Sequence, residues 1–377
     1  MRIAAISNSR IPSTTANSIQ AMKVCDALVE TGHDVHLLIP AETPDVSWEA
    51  LARQYGVNHP FRIRRVPSRR VLRRLDFVWY AHSAARTLAA DLIYTWLPQS
   101  AALEAWLRMP VVLEMHADVA GAFGAWWLRR FWAGRGKQRL LVTTGALRKA
   151  LEGSTRIRFP KACVQVAPNG VDLERYVDLP QPAEARKQLR LADALTVGFT
   201  GHFYPGRGID LLFELARSLP NVQFLWVGGT PDAVEPWRRK LDAAHQTNVT
   251  MTGFVENSRL PIYQAASEIL VMPYDREVAA SSGQEISEVI NPMKMFEYMA
   301  AGRAIITADL PAIREVLDDS RAVFCPVGDA AAWGTAILAL AEDPDRRARL
   351  ALNAQRAVLK YTWRARAQAA VQGMVIE

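Results

Sequence analysis

The sequence predicts an α/β protein of two Rossmann-like, doubly wound domains that face each other across a cleft. Three observations predict it. Apolar runs of strand length alternate with amphipathic stretches of helical length along the chain, the rhythm of a parallel sheet with crossover helices. That rhythm pauses at APNGVDLERYVDLPQPAEARKQLRL and then restarts. At 377 residues the chain also exceeds one ordinary hydrophobic core.

In the first half RIAAIS is a strand, SIQAMKVCDALVETG a helix and HDVHLLIP a strand. ADLIYTW, PVVLEM and RLLVTT follow as strands, each leading into a loop or a helical pattern. The Pro-rich pause marks a linker. In the second half LTVGFTG, NVQFLWVGG, NVTMTGFV, EILVMPY and RAIITA are strands. Helices are predicted at GIDLLFELARSL, EPWRRKLDAAHQ, LPIYQAA, PMKMFEYMAAG and AAWGTAILALAED. The predicted boundaries are a first domain over 1–170, a linker over 171–190, a second domain over 191–355, and a terminal helix over 356–377 that crosses back onto the first. Sheets of this class bind ligands at the carboxyl ends of their strands, so the facing crevice is the default site.

Half of the residues are apolar, which suits a large core and excludes a disordered chain. No uncharged apolar run reaches about 18 residues, so no helix is expected to span a bilayer. MRIAAISNSR reads as a buried first strand rather than a signal peptide. Cys25, Cys163 and Cys325 lie far apart and outside any CxxC or His/Cys spacing, which argues against a disulfide framework or a zinc site. A cytoplasmic location is the resulting expectation. The net charge of +7 is unevenly spread: residues 1–170 hold 23 Lys and Arg against 12 Asp and Glu, the remainder 22 against 26. A basic first half suggests that one domain meets an anionic surface or ligand.

FTGHFYPGRGIDLL has the outline of a nucleotide-triphosphate loop: Gly201, four residues, Gly206, a cation, then a helix. A P-loop needs Lys followed by Ser or Thr to hold magnesium. Here Arg207 and Gly208 stand at those places. What survives is a tight turn at a strand end, a fixed cation and helix-opening N–H groups, parts suited to a diphosphate without metal. A Gly-rich βα turn with a surface Arg is the plainer alternative.

INPMKMFEYMAAGRAIIT bears on that choice. Asn291 has N-cap chemistry, Pro292 suits the first helical position and Gly302 the C-terminal stop. Lys294 lies in the first turn, where the helix dipole disfavours a cation unless an anion is bound. Glu297 projects from nearly the same face and can accept hydrogen bonds from a vicinal diol. A plain Lys–Glu surface pair is the competing reading.

The segment NPMKMFEYMAAGRAIITADLPAIREVL resembles the donor-binding stretch of retaining family-4 glycosyltransferases of GT-B fold. APNGVD at 167–172, the GHFYPGRG loop, WVGG, TGFV at 252–255, ILVMPY and the terminal YTW agree in order and spacing. The resemblance implies a nucleotide-diphosphate sugar as donor. It implies the ribose on Glu297 and the diphosphate on Arg207 and Lys294, with Gly206, His202, Asn291, Pro292 and Met293 around it. The base would lie near Phe254 and Val255. His116, at the carboxyl end of PVVLEM, is implied to touch the donor sugar near the reacting carbon, which makes His116, Arg207 and Lys294 the catalytic candidates. NSRIPSTTANSIQ is similar to the acceptor-side loop, with Asn17 and Ser18 at its helix start. Two departures stand out. His202 replaces the family's first Arg, and Val289 its first Glu, for which neighbouring Glu288 is not an assumed substitute.

The implied activity is metal-independent transfer of a hexosyl-type group with retained configuration. No positioned carboxylate pair suggests a double displacement. The DxD-like triplet Asp343-Pro344-Asp345 reads as a turn and cap rather than a metal clamp. No cofactor is expected. The implied acceptor is a glycan, a lipid-linked or a small molecule, in bacterial surface glycan or glycoconjugate biosynthesis. A sugar-nucleotide epimerase, a phosphorylase of the same fold and a non-catalytic nucleotide-sugar-binding partner protein are the alternatives.

FRIRRVPSRRVLRRL packs seven Arg into positions 62–74 with no acid. FGAWWLRRFWAGRGKQRLL, as a helix, is expected to gather Phe123, Trp127, Leu128 and Phe131 on one arc and Arg129, Arg130 and Lys137 on another. The pattern suits an interfacial helix on an anionic membrane, and equally a helix packing its aromatics into the core. Peripheral attachment at the inner face of the membrane is the matching expectation. No nucleic-acid module accompanies the arginines.

Overall fold

The computed structural model describes residues 1–42, 44–69, 75–119, 121–160, 162–279 and 285–374. The chain divides into two compact units, Met1–Pro168 with Trp363–Glu377, and Asn169–Thr362. Each is built on one parallel sheet.

In the first unit the strands are β1 (Arg2–Ile6), β2 (Asp34–Pro40), β3 (Arg62–Val66), β4 (Leu92–Thr95), β5 (Val111–Met115), β6 (Gln138–Val142) and β7 (Val164–Val166), in the order β3-β2-β1-β4-β5-β6-β7. The second unit repeats the scheme with β8 (Thr196–Thr200), β9 (Gln223–Val227), β10 (Val249–Gly253), β11 (Ile269–Met272), β12 (Ala304–Ala308) and β13 (Val323–Cys325), ordered β10-β9-β8-β11-β12-β13. These are Rossmann-like sheets, and each reverses its winding once, between β1 and β4 and between β8 and β11. A central parallel strand covered on both faces meets no water, so its residues run continuously apolar. Hence β4, β5, β8, β11 and β12 are buried end to end.

Three strands missing from the sequence expectation, β3, β7 and β13, all lie at sheet edges. RIRRV alternates in exposure along β3, and Arg65 pairs with Asp45 at 3.0 Å. Part of the basic run therefore forms a charged edge strand, a pattern that discourages edge-to-edge pairing. Arg70, Arg73 and Arg74 lie outside the described residues.

The segment 171–190, expected as a linker, belongs to the second unit. It forms a 3-10 turn at Leu173–Tyr176 and a helix at Pro182–Leu189. Its polar residues are paired within the fold: buried Arg186 contacts Glu268 at 2.7 Å and Asp193 at 3.0 Å. The unit boundary near the C-terminus falls at Trp363 rather than 356, because the helix Pro344–Val358 packs on the second unit and only Trp363–Val371 joins the first. Asp343 caps the helix Pro344–Val358, accepting the Arg346 N–H at 2.7 Å.

The expected aromatic arc is also corrected. The helix Gly121–Trp132 stops before Lys137. Ala125, Leu128 and Phe131 are buried, whereas Phe123 is 74% exposed and Trp126 41%. Five residues separate Phe123 from Leu128, well over a full turn, so they face differently. Among the described residues no helix is long and apolar enough to cross a membrane.

Candidate active site

In the second unit the loops that follow β8 and β11 meet at the point where the strand order reverses. Gly201 leaves β8 with φ at 148°, and a Cβ there would stand 2.6 Å from Lys294 Nζ. Glycine makes room for the lysine. Gly206 has φ at 81°, and a Cβ would stand 2.2 Å from the Glu277 carbonyl oxygen, so this turn also tolerates only glycine. Arg207 is thereby laid over Tyr274, its guanidinium carbon 5.4 Å from the ring centroid, and donates to the Ala279 carbonyl at 3.3 Å. Lys294 Nζ lies 5.7 Å from the same centroid and 4.0 Å from that of Phe199. One buried tyrosine ring thus carries both cations. Burial pushes the Lys294 ammonium well below its ordinary value, Arg207 adds to that and Glu297 opposes it. Among the described residues neither cation forms a salt bridge with a carboxylate.

The helix Met293–Ala301 supplies Lys294 and Glu297. Asn291 is not its cap, contrary to the sequence expectation. The Asn291 side-chain oxygen accepts the Asn169 N–H at 2.7 Å, and Asn169 Nδ2 donates back to the Asn291 carbonyl at 2.6 Å. Pro292 is the cap residue rather than the first helical one and makes no side-chain capping bond; the Met295 N–H donates to the Pro292 carbonyl at 3.1 Å, which leaves those of Met293 and Lys294 for another acceptor. Gly302 ends the helix with φ at 63°. Gln264 Nε2 donates to Glu297 at 3.1 Å, and Gln264 in turn accepts the Tyr176 hydroxyl at 3.0 Å. The Thr200 N–H donates to the Tyr298 hydroxyl at 2.8 Å, tying the helix to the end of β8.

Other expected donor residues surround this core. The loops after β8, β9 and β10 are joined by Gly201 N–H to Val227 and Gly228 N–H to Gly253, both at 2.9 Å. They bring Phe254, which is 44% exposed, and half-buried Val255 beside the glycine loop. The His202 ring stacks on Tyr204 with centroids 4.8 Å apart. Met293 is half-buried. Val289 is buried in the 3-10 turn Ser287–Val289, while Glu288 points outward. Among the described residues no three His, Cys, Asp or Glu side chains are grouped to hold a metal ion.

In the first unit His116 directly follows β5, and its Nε2 lies 2.6 Å from Glu114 Oε1. Glu114 is buried within β5 and also receives Gln20, Tyr94 and Arg366. Asn17 is exposed at the start of the helix Ala16–Glu30. Ser18, expected as a donor to an acceptor molecule, is buried, and its hydroxyl donates to the carbonyls of Thr15 at 2.8 Å and Ser13 at 3.0 Å. Its hydrogen bonds are spent on the loop itself.

Sequence reasoning missed Tyr274, Gln264, Glu114 and Arg366. A signal for one existed: a carboxylate inside the apolar strand VVLEM has to be paired when buried. Its partner, 252 residues away, carries no such mark.

A two-sheet molecule with a cation pair at the β8/β11 reversal has the build of a GT-B glycosyltransferase. Residues 18–175 match the model for Glycosyltransferase Family 4, and residues 194–343 that for Glycosyl transferases group 1. The chain thus carries a Glycosyltransferase Family 4 domain followed by a Glycosyl transferases group 1 domain. It is 31% identical over 216 residues to the D-inositol 3-phosphate glycosyltransferase of Xylanimonas cellulosilytica, covering 53% of this chain and 48% of that one. It therefore spans about half the length of that curated relative. It is 25% identical over 363 residues to the phosphatidyl-myo-inositol mannosyltransferase of Mycobacterium leprae, covering 91% and 88%. The Anabaena HepE structure in complex with UDP-glucose shares the fold with a TM-score of 0.75 at 18% identity, covering 99% and 98%.

Proposed function

We propose that the chain transfers a hexosyl-type group, with retained anomeric configuration, from a nucleotide-diphosphate sugar to a glycan, lipid-linked or small-molecule acceptor. The single observation that carries this is the two-cation cradle: Arg207 and Lys294 on one tyrosine ring, beside an uncapped helix start and without a carboxylate partner among the described residues. Two adjacent cations raise each other's energy, and a diphosphate relieves both. The complex of HepE with UDP-glucose, and relatives that include a GDP-mannose-dependent alpha-mannosyltransferase, support a nucleotide-sugar donor.

Glu297, oriented by Gln264, is assigned the ribose hydroxyls, and the backbone at Phe254 and Val255 the base. Gly206, Asn291, Pro292 and Met293 shape the cradle, and His202 stands at its edge. In the transfer the bond from the anomeric carbon to the diphosphate oxygen breaks and a bond to the acceptor oxygen forms on the same face. The acceptor proton passes to the leaving diphosphate. Charge growing on that leaving group is met by Arg207, Lys294 and the helix N–H groups, so no metal is required. His116 is assigned to the donor sugar and Asn17 to the acceptor side.

The exposed aromatic residues Phe123 and Trp126, with the Arg130 guanidinium 5.1 Å from the Trp126 ring, support peripheral attachment to an anionic inner membrane surface. The test is turnover in EDTA with UDP-, GDP- and dTDP-sugars, read by mass spectrometry of released nucleotide and glycosylated product. One donor should be consumed, and Glu297→Ala or Lys294→Ala should abolish its use. A reaction that stops without divalent ions, or that survives both substitutions, contradicts the reading.

A further inference from the structure

Glu114 collects five hydrogen-bond donors on one carboxylate. Oε1 receives Gln20 Nε2, Arg366 at 2.6 Å and His116 Nε2 at 2.6 Å. Oε2 receives the Tyr94 hydroxyl and Arg366 at 3.1 Å. The donors come from the helix Ala16–Glu30, β4, the end of β5 and the terminal helix Trp363–Val371. Gln20, Tyr94, Glu114 and Arg366 are all buried, and only His116 reaches solvent, at 29% of its side chain. Burial by itself would push the Glu114 carboxyl up, but Arg366 and His116 outweigh it and hold the group well below the usual carboxylate range. Arg366 is itself anchored, donating to the Pro168 carbonyl at 3.0 Å.

A carboxylate in this state accepts and cannot donate. The imidazole nitrogen facing it must carry the hydrogen. We propose that Glu114, clamped by Arg366, is the positioning residue of His116: it keeps a proton on Nε2, so that the ring when neutral is the Nε2–H tautomer and offers Nδ1 as an acceptor for a sugar hydroxyl. Among the described residues Nδ1 makes no hydrogen bond. A buried ion pair is costly to assemble and often replaceable by apolar side chains without loss of stability. Its use here is orientation of the one member that faces outward. The inference rests on the reading of His116 as a sugar-facing residue.

The test uses the full chain labelled with 15N in its histidines, assigned through His116→Gln. At about pH 8.5, some two units above an ordinary imidazole value, wild type should show a slowly exchanging proton on His116 Nε2 and a bare Nδ1. Glu114→Gln turns one acceptor oxygen into a donor and should make that proton exchange too fast to observe. Arg366→Lys keeps the charge and should retain the proton. Absence of a protected Nε2–H in wild type overturns the proposal, even where a variant fails to fold. So does its persistence in Glu114→Gln. Where that variant folds, donor hydrolysis assayed with UDP-glucose and GDP-mannose should show kcat lowered about tenfold or more, with the donor KM unchanged within twofold. A purely structural pair would leave kcat intact and lower only the melting temperature, which also overturns it. Should His116→Ala hydrolyse donor as fast as wild type while the protected proton is seen, the sugar-facing assignment fails and the Glu114–His116 coupling stands.

Discussion

The two units both gather charge at a strand end, and they balance it in opposite ways. In the first, the Glu114 carboxylate is met by Arg366, His116, Tyr94 and Gln20, and every oxygen lone pair has a donor. In the second, Lys294 and Arg207 share the Tyr274 ring, and among the described residues no carboxylate bridges either. The first cluster is complete within the chain. The second leaves its two cations unbridged by a carboxylate among the described residues, so they repel each other. Unbalanced charge next to glycine-lined space marks where a ligand goes; balanced charge marks a cluster that the chain completes by itself.

That contrast can be broken most forcefully at Arg366. Arg366→Met leaves Glu114 as a buried anion without its cation, which should cost about 3–5 kcal/mol. Calorimetry should show a markedly lower transition for the first unit. A change near zero would mean that the pair is not a balanced core element.

Lys294→Met should act in the other direction. Removing a disfavoured ammonium should raise the melting temperature of the unliganded protein by about 2–4 °C. The same change should weaken nucleoside diphosphate binding about 100-fold, the loss of a charge-assisted contact of about 3 kcal/mol. Higher stability with lower affinity separates a ligand cation from a structural one.

Gly206→Ala tests the cradle's walls. Its Cβ would meet the Glu277 carbonyl at 2.2 Å in a positive-φ backbone, so about 1–3 kcal/mol of stability should go, with diphosphate affinity. Gly253→Ala is the control. It has φ at 71° but open space around the Cβ, so it should cost only about 1 kcal/mol, read by the same melting curves.

The smallest effect is in pH dependence. Glu114 has a depressed value in the folded state, so its contribution is fully present above about pH 4.3, the unfolded value, and is lost as pH falls below that. Lys294 also has a depressed value, which for a lysine means that the unfolded chain binds the proton more tightly. Its penalty is fully present at low pH and is relieved as pH rises toward about 10.4. Melting curves of Lys294→Met should therefore lose part of the alkaline rise seen in wild type.

The central strands were legible because covered parallel strands are apolar throughout. VVLEM, ILVM and AIITA need no further context. β3, β7 and β13 were not, since an edge strand is half wet and RIRRV reads as a charge run. The Pro and polar residues after 170 read as a linker, because a pairing such as that of Arg186 with Glu268 across 82 residues leaves no local trace. The juxtaposition of Arg207 and Lys294 was legible through helix punctuation and glycine spacing. Asn291 misled, since its capping chemistry is spent on Asn169. The length of an apolar run and the rules of capping are local. Which distant side chain completes a buried ion pair is not.

The most direct measurement is calorimetric titration of UDP and GDP in EDTA into wild type and Lys294→Met. The cradle predicts that at least one of them binds wild type without divalent metal and loses about 100-fold in affinity in the variant. Binding that needs magnesium, or that is equally tight after the lysine is gone, would contradict it.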